Sequence, residues 1–304
     1  MHKLLVFILM NLVLSTSAQN DPKLSTFAFN PLTYNPAYAG SYNGLASVLV
    51  YSTQWVGFEG APKTLFFSAH SILSKSQTAA GVDIMSDKIG AADESNYNGN
   101  FSYKLNITKD TKVSFGIKAG ANVFSVDFRR LTIDDLNEDV VAESDMSYTS
   151  LNLGVGTYIY GESWSIGFST PNILTTKYLD ATQREIGKKS PYLYASGTYA
   201  FMIDDDIRIQ PSILSRFAEG APIESLIAIN GNWQERLYVS VNFEPEVSIG
   251  GFIGIKFLDH IIAGYSYDFA VNHFGRYNGG IHTFMLSYKL EDYWSSERCS
   301  CFTF

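Results

Sequence analysis

The stretch from Lys112 to Val123 reads KVSFGIKAGANV, and its alternation decides the fold class. Polar residues or glycines occupy the even-numbered positions. Apolar residues occupy all of the odd-numbered positions, which are Val113, Phe115, Ile117, Ala119, Ala121 and Val123. Because successive side chains of a strand point to opposite faces of a sheet, the stretch predicts a β-strand with one apolar and one polar face.

Similar runs follow one another from Gly44 onward, for example at residues 151–159 and 236–243. Their polar faces carry glycine, serine, asparagine, threonine and tyrosine, whereas the solvent face of a soluble sandwich would carry many lysines and glutamates. The run from Lys112 to Val123 also has the length of a strand that crosses a bilayer, roughly 9–11 residues, rather than the roughly five or six residues of an average globular strand. These features favour an all-β transmembrane barrel with a polar lumen over a secreted soluble β-domain.

We predict fourteen antiparallel strands, and an even number places both termini in the periplasm. The even-numbered connections are then tight periplasmic turns. Long, extracellular connections are predicted at Gln54–Lys63, Asp87–Ser95, Asp127–Ser147 and Thr170–Ser190. The strands are predicted to begin near Gly44, Thr64, Ala79, Asn96, Thr111, Tyr148, Ser163, Pro191, Ile207, Ile223, Arg236, Val247, His260 and Gly280.

The composition agrees with this fold class and excludes others. Charged residues make up 17% of the 304 residues, below the roughly 25% of an ordinary soluble domain. A net charge of −8 argues against a nucleic-acid partner, which would require a basic stripe. Aromatic residues make up 14% of the chain, and those near strand ends are expected to form girdles at the membrane interfaces, among them Trp55, Tyr160, Tyr192, Tyr194 and Trp233.

The first 18 residues have the form of a secretory signal peptide. A short basic region at His2 and Lys3 precedes an apolar region over Leu4–Leu14, which is too short for a membrane anchor of about 20 residues. Small residues before Gln19 supply the cleavage site. We therefore divide the chain into a signal peptide (residues 1–18), an N-terminal periplasmic segment that leads into the first strand (19–43), an outer-membrane barrel (44–290) and a periplasmic tail (291–304).

No pattern in the sequence indicates a catalytic, cofactor or metal site, and we predict that the protein is not an enzyme and uses no cofactor. The five histidines lack the spacing of metal ligands. The acidic connection Asp127–Ser147 could hold a divalent cation, but the pattern favours a solvated loop. Cys299 and Cys301 are separated by one residue, so a bridge between them would be strained; free thiols or pairing with a partner are favoured.

Two motifs resemble the PorP/SprF family of outer-membrane proteins of the type IX secretion and gliding system. They are NPAYAG at residues 35–40 and QWVGFEGAPKT at residues 54–64. Weaker similarity extends over Ser68-Ala69-His70, residues 114–120 and Tyr265-Ser266-Tyr267-Asp268, so that the resemblance covers essentially the whole mature chain. One departure is Thr283, where the family usually has glutamate after the histidine.

The resemblance implies a barrel in the bacterial outer membrane that anchors, or helps to export and display, secreted surface proteins such as adhesins. Its partners would be membrane lipid, the secreted protein or its C-terminal domain, and periplasmic proteins of the secretion system. The motif residues that could bind a partner are Asn35, Pro36, Gly40, Gln54, Trp55, Gly57, Phe58, Gly60, Pro62, His70, Tyr267 and Asp268. Trp55 fits a membrane girdle better than a partner-binding site.

Two other functions stay open on the sequence alone. The polar lumen and the strand count are also typical of a passive outer-membrane channel for small or hydrophobic solutes. A soluble secreted sandwich or repeat adhesin would show the same alternation, with its apolar faces turned inward.

Overall fold

The computed structural model describes residues 25–73, 77–127, 146–179, 185–271 and 279–291. The predicted signal peptide, the two cysteines and most of the acidic connection lie outside these residues. The strands are β1 (Gly44–Gln54), β2 (Lys63–Ile72), β3 (Thr78–Ile89), β4 (Ala92–Asn106), β5 (Lys112–Val126), β6 (Met146–Tyr160), β7 (Trp164–Thr170), β8 (Thr176–Leu179), β9 (Glu185–Lys189), β10 (Tyr192–Tyr199), β11 (Phe201–Met202), β12 (Ile207–Ala218), β13 (Glu224–Trp233), β14 (Leu237–Glu244), β15 (Ser248–Leu258), β16 (Ile261–Ala270) and β17 (Ile281–Glu291).

The strands form a closed antiparallel barrel, which confirms the predicted fold class. Sequential strands pair with one another, and β1 pairs with β17 along its whole length, from Gly44 opposite Glu291 to Gln54 opposite Ile281. β11 continues β10 beyond Ala200, and both pair with β12. Counting β10 and β11 as one strand, the barrel has 14 strands, as predicted. Among the described strands, β8 and β9 pair only with each other and form a separate hairpin in the connection between β7 and β10.

One predicted connection is wrong. The sequence predicts a long loop over Asp87–Ser95, but β3 and β4 continue through most of it and turn tightly at Gly90, which has a φ of +58°. Strand pairing continues beyond the apolar belt, where alternation of apolar and polar residues is no longer required. Polar contacts hold the extension instead: Thr64 Oγ1 donates to Asp87 Oδ1 over 2.5 Å, and Glu94 forms an ion pair with Lys189.

The two ends of the barrel differ. At one end, here called the terminal end, β1 begins and β17 ends, and the connections between described strands are short, for example at residues 161–163 and 259–260. At the other, the loop end, the connections include residues 55–62 and 171–191. Two loop-end connections are short, at residues 219–223 and 245–247. That the terminal end faces the periplasm stays a prediction.

The alternating side chains divide between lipid and lumen as the sequence predicts. On β5, β6 and β14 the apolar residues point outward, with Ile117, Leu151 and Val241 58%, 59% and 58% exposed. Their neighbours Lys118, Asn152 and Asn242 point inward and are buried. The exposed apolar side chains form the surface that contacts lipid in a transmembrane barrel.

Residues 25–43, here called the plug, fill the lumen with a compact segment. It contains two 3₁₀ turns, Pro31–Thr33 and Pro36–Tyr38, each with proline in its first turn, where the missing amide hydrogen costs nothing. Neither these turns nor any other helix among the described residues is long and apolar enough to cross a membrane. The sequence predicts that residues 19–43 form a periplasmic segment that leads into β1; in the structure, residues 25–43 lie inside the barrel.

The plug contacts the barrel wall on all sides. Phe29 packs against Val48, Phe66 and Phe252, with 4.6 Å between the ring centroids of Phe29 and Phe252. Phe27 lies in a second cluster with residues of β10, β12 and β13. The second 3₁₀ turn contacts β4, β5 and β6. The plug therefore occludes the lumen across its width.

Candidate functional site

The NPAYAG motif is the centre of the plug. Asn35 caps the second 3₁₀ turn, because its Oδ1 accepts a hydrogen bond from the amide of Ala37 over 3.0 Å. Its Nδ2 donates to the carbonyl oxygen of Thr157 on β6 over 3.1 Å. One side chain thus fixes both the turn and its position against the wall, and Asn35 and Pro36 are both buried.

Two wall glycines provide the space for this turn. A Cβ atom on Gly116 of β5 would overlap the backbone of Pro36 and Ala37, and a Cβ on Gly156 of β6 would overlap the side chain of Asn35. Gly116 and Gly156 are directly opposite each other in the β5–β6 register. The wall therefore has no side chains at the two positions that face the motif, and glycine is needed there so that the plug backbone can approach the wall closely.

His70 on β2 holds the last part of the plug. Its Nδ1 accepts a hydrogen bond from the amide of Gly40 over 3.2 Å, and its ring packs edge-on against Tyr38 with 5.3 Å between centroids. Gly40 has a φ of +73°, and a Cβ there would also overlap Ala79. Burial raises the pKa of the Tyr38 phenol to about 12.

A buried ion pair joins the wall to the plug. Lys118 Nζ lies 2.9 Å from Asp83 Oδ2 and donates to the carbonyl oxygen of Thr33 in the plug over 3.0 Å. Asn98 and Asn100 on β4 donate to the two carboxylate oxygens of Asp83 over 2.8 and 2.6 Å. The charged pair is thus hydrogen-bonded on both sides, as a buried pair requires.

Several tyrosines line the lumen rather than the membrane interface. Tyr160, Tyr192 and Tyr194 were expected in the girdles, but all three are buried and belong to clusters that include plug residues. Tyr194 lies 6.0 Å from Tyr34 of the plug, centroid to centroid. Successive side chains of a strand alternate between the lipid face and the lumen, and these three tyrosines occupy lumen-facing positions. Their rings fill space that shorter polar side chains would leave empty.

Between the plug and the loop end lies a cavity of about 110 Å³, here called the recess. It is lined by Thr33 and Tyr34 of the plug and by Tyr192 and Tyr194 of β10. It is also lined by amides from three neighbouring strands and a loop: Asn96, Asn98, Asn122, Asn152 and Asn172. This amide-rich wall was not singled out from the sequence, although Asn96, Asn98 and Asn100 at every second position of β4 were a visible signal.

The QWVGFEGAPKT motif forms a tight loop at the loop end. The amide of Gln54 donates to Pro62 across its base over 2.9 Å, and the amide of Trp55 donates to Gly280 over 2.9 Å. A third bond runs from Gly90 to the carbonyl of Gly60 over 2.9 Å. Trp55, Gly57 and Gly60 all have positive φ, which fixes the sharp course of the chain.

Two apolar side chains of this loop are exposed. Phe58 is 54% exposed and Val56 47% exposed, although Val56 lies beside Gly279. Pro62, in contrast, is buried. The motif therefore presents a rigid apolar tip beyond the strands.

The twelve motif residues do not form one site. Asn35, Pro36, Gly40 and His70 hold the plug, whereas Gln54, Trp55, Gly57, Phe58, Gly60 and Pro62 build the tip loop. Tyr267 and Asp268 are adjacent on β16 and point to opposite faces: Tyr267 is partly exposed beside Gly280, and Asp268 is buried in the lumen, where it accepts a hydrogen bond from Ser266. Within the described ranges, no group of three or more histidines, cysteines or acids is arranged to hold a metal ion.

Comparison with known proteins gives a family and a fold. The family model for "Type IX secretion system membrane protein PorP/SprF" matches residues 16–288. No curated protein matches the sequence. Among solved structures, the CymD monoaromatic hydrocarbon channel is similar with a TM-score of 0.53 and 10% identity, covering 87% of this chain and 100% of that one. The Ralstonia pickettii toluene transporter TbuX is similar with a TM-score of 0.51 and 9% identity, covering 84% and 92%. At this identity the likeness shows the barrel fold alone.

Proposed function

Because the chain belongs to the PorP/SprF family of type IX secretion system membrane proteins and lies in the bacterial outer membrane, we propose that it anchors, or helps to export and display, secreted surface proteins such as adhesins. In this role the barrel is a platform in the membrane. The secreted protein is held at the barrel rather than passed through it.

The occluded lumen carries this proposal. The plug contacts wall residues on all sides of the barrel, through Phe27, Phe29 and the second 3₁₀ turn. An exported polypeptide could not pass without displacing it. The same observation weighs against a passive channel for small or hydrophobic solutes, which needs a continuous path between its two ends.

The tip loop supports docking at the loop end. Exposed aromatic and aliphatic side chains on a rigid loop lose little conformational entropy when a partner covers them, and such residues often provide much of the binding energy of an interface. Phe58 and Val56 have this character. We place this end on the outside of the cell, with the terminal end facing the periplasmic proteins of the secretion system.

A strain that lacks the protein tests the proposal. We expect at least one secreted protein to disappear from the cell surface and to return when the wild-type gene is restored. Surface shaving with protease, followed by mass spectrometry of the released peptides, measures this. If every surface protein is displayed as in the parent strain, the proposal is wrong.

Complementation with a tip-loop variant tests where the partner docks. A Val56→Ser and Phe58→Ser double variant is expected to insert normally but to restore roughly a tenth or less of the display, since loss of two apolar contacts costs more than a tenfold change in affinity. Ile223→Ser is the control, because Ile223 is an apolar residue in another loop-end connection and is even more exposed than Val56 and Phe58. Equal loss in both variants would contradict docking at the tip loop.

A further inference from the structure

We propose that the recess is a binding site for one neutral sugar ring, a hexopyranose or an N-acetylhexosamine. The site lies inside the lumen, between the plug and the loop end, and is separate from the tip loop. This inference does not depend on the proposed role in surface display, and either can fail without the other.

The size of the recess fits a single ring. A cavity needs roughly 10–15 Å³ for each water-sized group that it holds, so 110 Å³ has space for about seven to eleven such groups. A hexopyranose has about twelve non-hydrogen atoms and an N-acetylhexosamine about fifteen, so one ring fills the recess and the remaining substituents extend toward the loop end. Because the plug lines the recess at Thr33 and Tyr34, a longer chain could extend only toward the loop end.

One residue that lines the recess has a buried polar atom without a partner. Asn152 is 8% exposed, and its Nδ2 donates to Asn98 Oδ1 over 2.8 Å. Its Oδ1 accepts no hydrogen bond within the described part of the chain. A buried polar atom without a partner costs free energy, and a ligand hydroxyl that donates to it would remove that cost.

The remaining groups favour a ligand that both donates and accepts hydrogen bonds and carries no net charge. Primary amides offer donors and acceptors together, which matches the dual character of sugar hydroxyls. The charges near the recess cancel in pairs, Asp83 with Lys118 and Glu94 with Lys189. A phosphate or carboxylate would therefore find no surplus positive charge there.

The aromatic residues of the recess also favour a sugar ring. Tyr192 and Tyr194 on β10 line the recess together with the amides. Aromatic rings supply apolar area for the C–H face of a pyranose, while the amides bind its hydroxyls; ligand sites commonly combine an apolar surface with a few placed polar groups. A hydrocarbon would leave Asn152 Oδ1 unpaired.

Saturation-transfer NMR on the full detergent-solubilised protein tests the proposal with a panel of free neutral hexoses and N-acetylhexosamines. At least one sugar is expected to give a saturable signal with a dissociation constant on the order of 1 mM, as expected for a ligand of about a dozen non-hydrogen atoms. Asn152→Leu is expected to weaken that binding roughly tenfold or more. Asn172→Ala, in a connection rather than a strand, provides a second lining variant with less risk to folding.

Asn242→Leu is the matched control. Asn242 is also buried, on β14, and its amide nitrogen has no partner among the residues that the structure describes, but it does not line the recess. Its binding of the sugar should equal that of the wild type.

Competition by oligosaccharide from the membrane's own lipopolysaccharide, or by glycopeptides from secreted proteins, would identify the source of the sugar. Three results would overturn the proposal. No sugar gives a signal, both lining variants bind the sugar as the wild type does, or toluene or a short neutral peptide gives an equally saturable signal.

Discussion

Replacing Gly116 with valine is expected to drive the plug from its place and convert the closed barrel into a conducting pore. The new side chain would overlap the backbone of Pro36 and Ala37, so the two cannot occupy the lumen as they do now. The wall is a continuous set of strand pairs and cannot yield without losing backbone hydrogen bonds. The plug is a single segment joined to β1, and we expect it to be the part that moves.

Planar-bilayer recording measures the result. The wild-type protein should show no stepwise conductance, whereas the Gly116→Val variant should show single-channel steps and a mean conductance roughly tenfold or more above wild type, since barrels of this size enclose a water-filled lumen when nothing fills it. Gly156→Val should act in the same direction, because its side chain would overlap Asn35.

Gly99→Val is the control for the substitution itself. Gly99 faces outward on β4, and the nearest atom to an added Cβ is the carbonyl oxygen of Ala119 at 3.8 Å. This variant should stay closed. A Gly116→Val barrel that folds and remains as closed as the wild type would show that the seal does not depend on the position of the second 3₁₀ turn.

Replacing Asp83 with leucine is expected to cost about 3–5 kcal/mol of folding stability, because it leaves the buried charge of Lys118 without its partner. Lys118 is 3% exposed and would keep its hydrogen bond to the carbonyl oxygen of Thr33, which carries no charge. Urea unfolding in lipid vesicles, followed by the heat-dependent shift of folded barrels on gels, measures the loss.

The Asp83→Leu and Lys118→Met double variant separates the charge from the hydrogen bonds. Both variants leave Asn98 and Asn100 without their acceptor, but only the single variant contains an unpaired charge. The double variant should therefore recover most of the lost stability. If the two variants are equally unstable, the network is held by its amide hydrogen bonds and the ion pair adds little.

The barrel was predictable because lipid imposes a strict period on every strand that it contacts. Lys112–Val123 showed that period, and the strand starts agree with the structure to within a few residues. The hairpin of β3 and β4 was missed where the strands leave the lipid, since residues such as Asp87 and Glu94 carry no alternation there. Nothing local distinguishes such an extension from a loop.

The plug could not be located from its own sequence. Residues 25–43 have no period, and Pro31, Pro36 and Gly40 indicate turns without indicating a place. The signal lay on the wall instead: small residues such as Gly116 and Gly156 face a lumen that they cannot fill. The pairing of Asp83 with Lys118 was likewise hidden, because it joins β3 to β5 across β4 and depends on the register of both strand pairs.

The seam between the first and last barrel strands has a consequence for biogenesis. Because β1 pairs with β17, the cylinder cannot shut until the final strand has been synthesised and inserted. The plug precedes β1 in the chain, and its partners on β4, β5 and β6 are available long before that moment. We expect the open sheet to close around a plug that is already docked on β4, β5 and β6. The plug would then not have to enter the lumen after the barrel has closed.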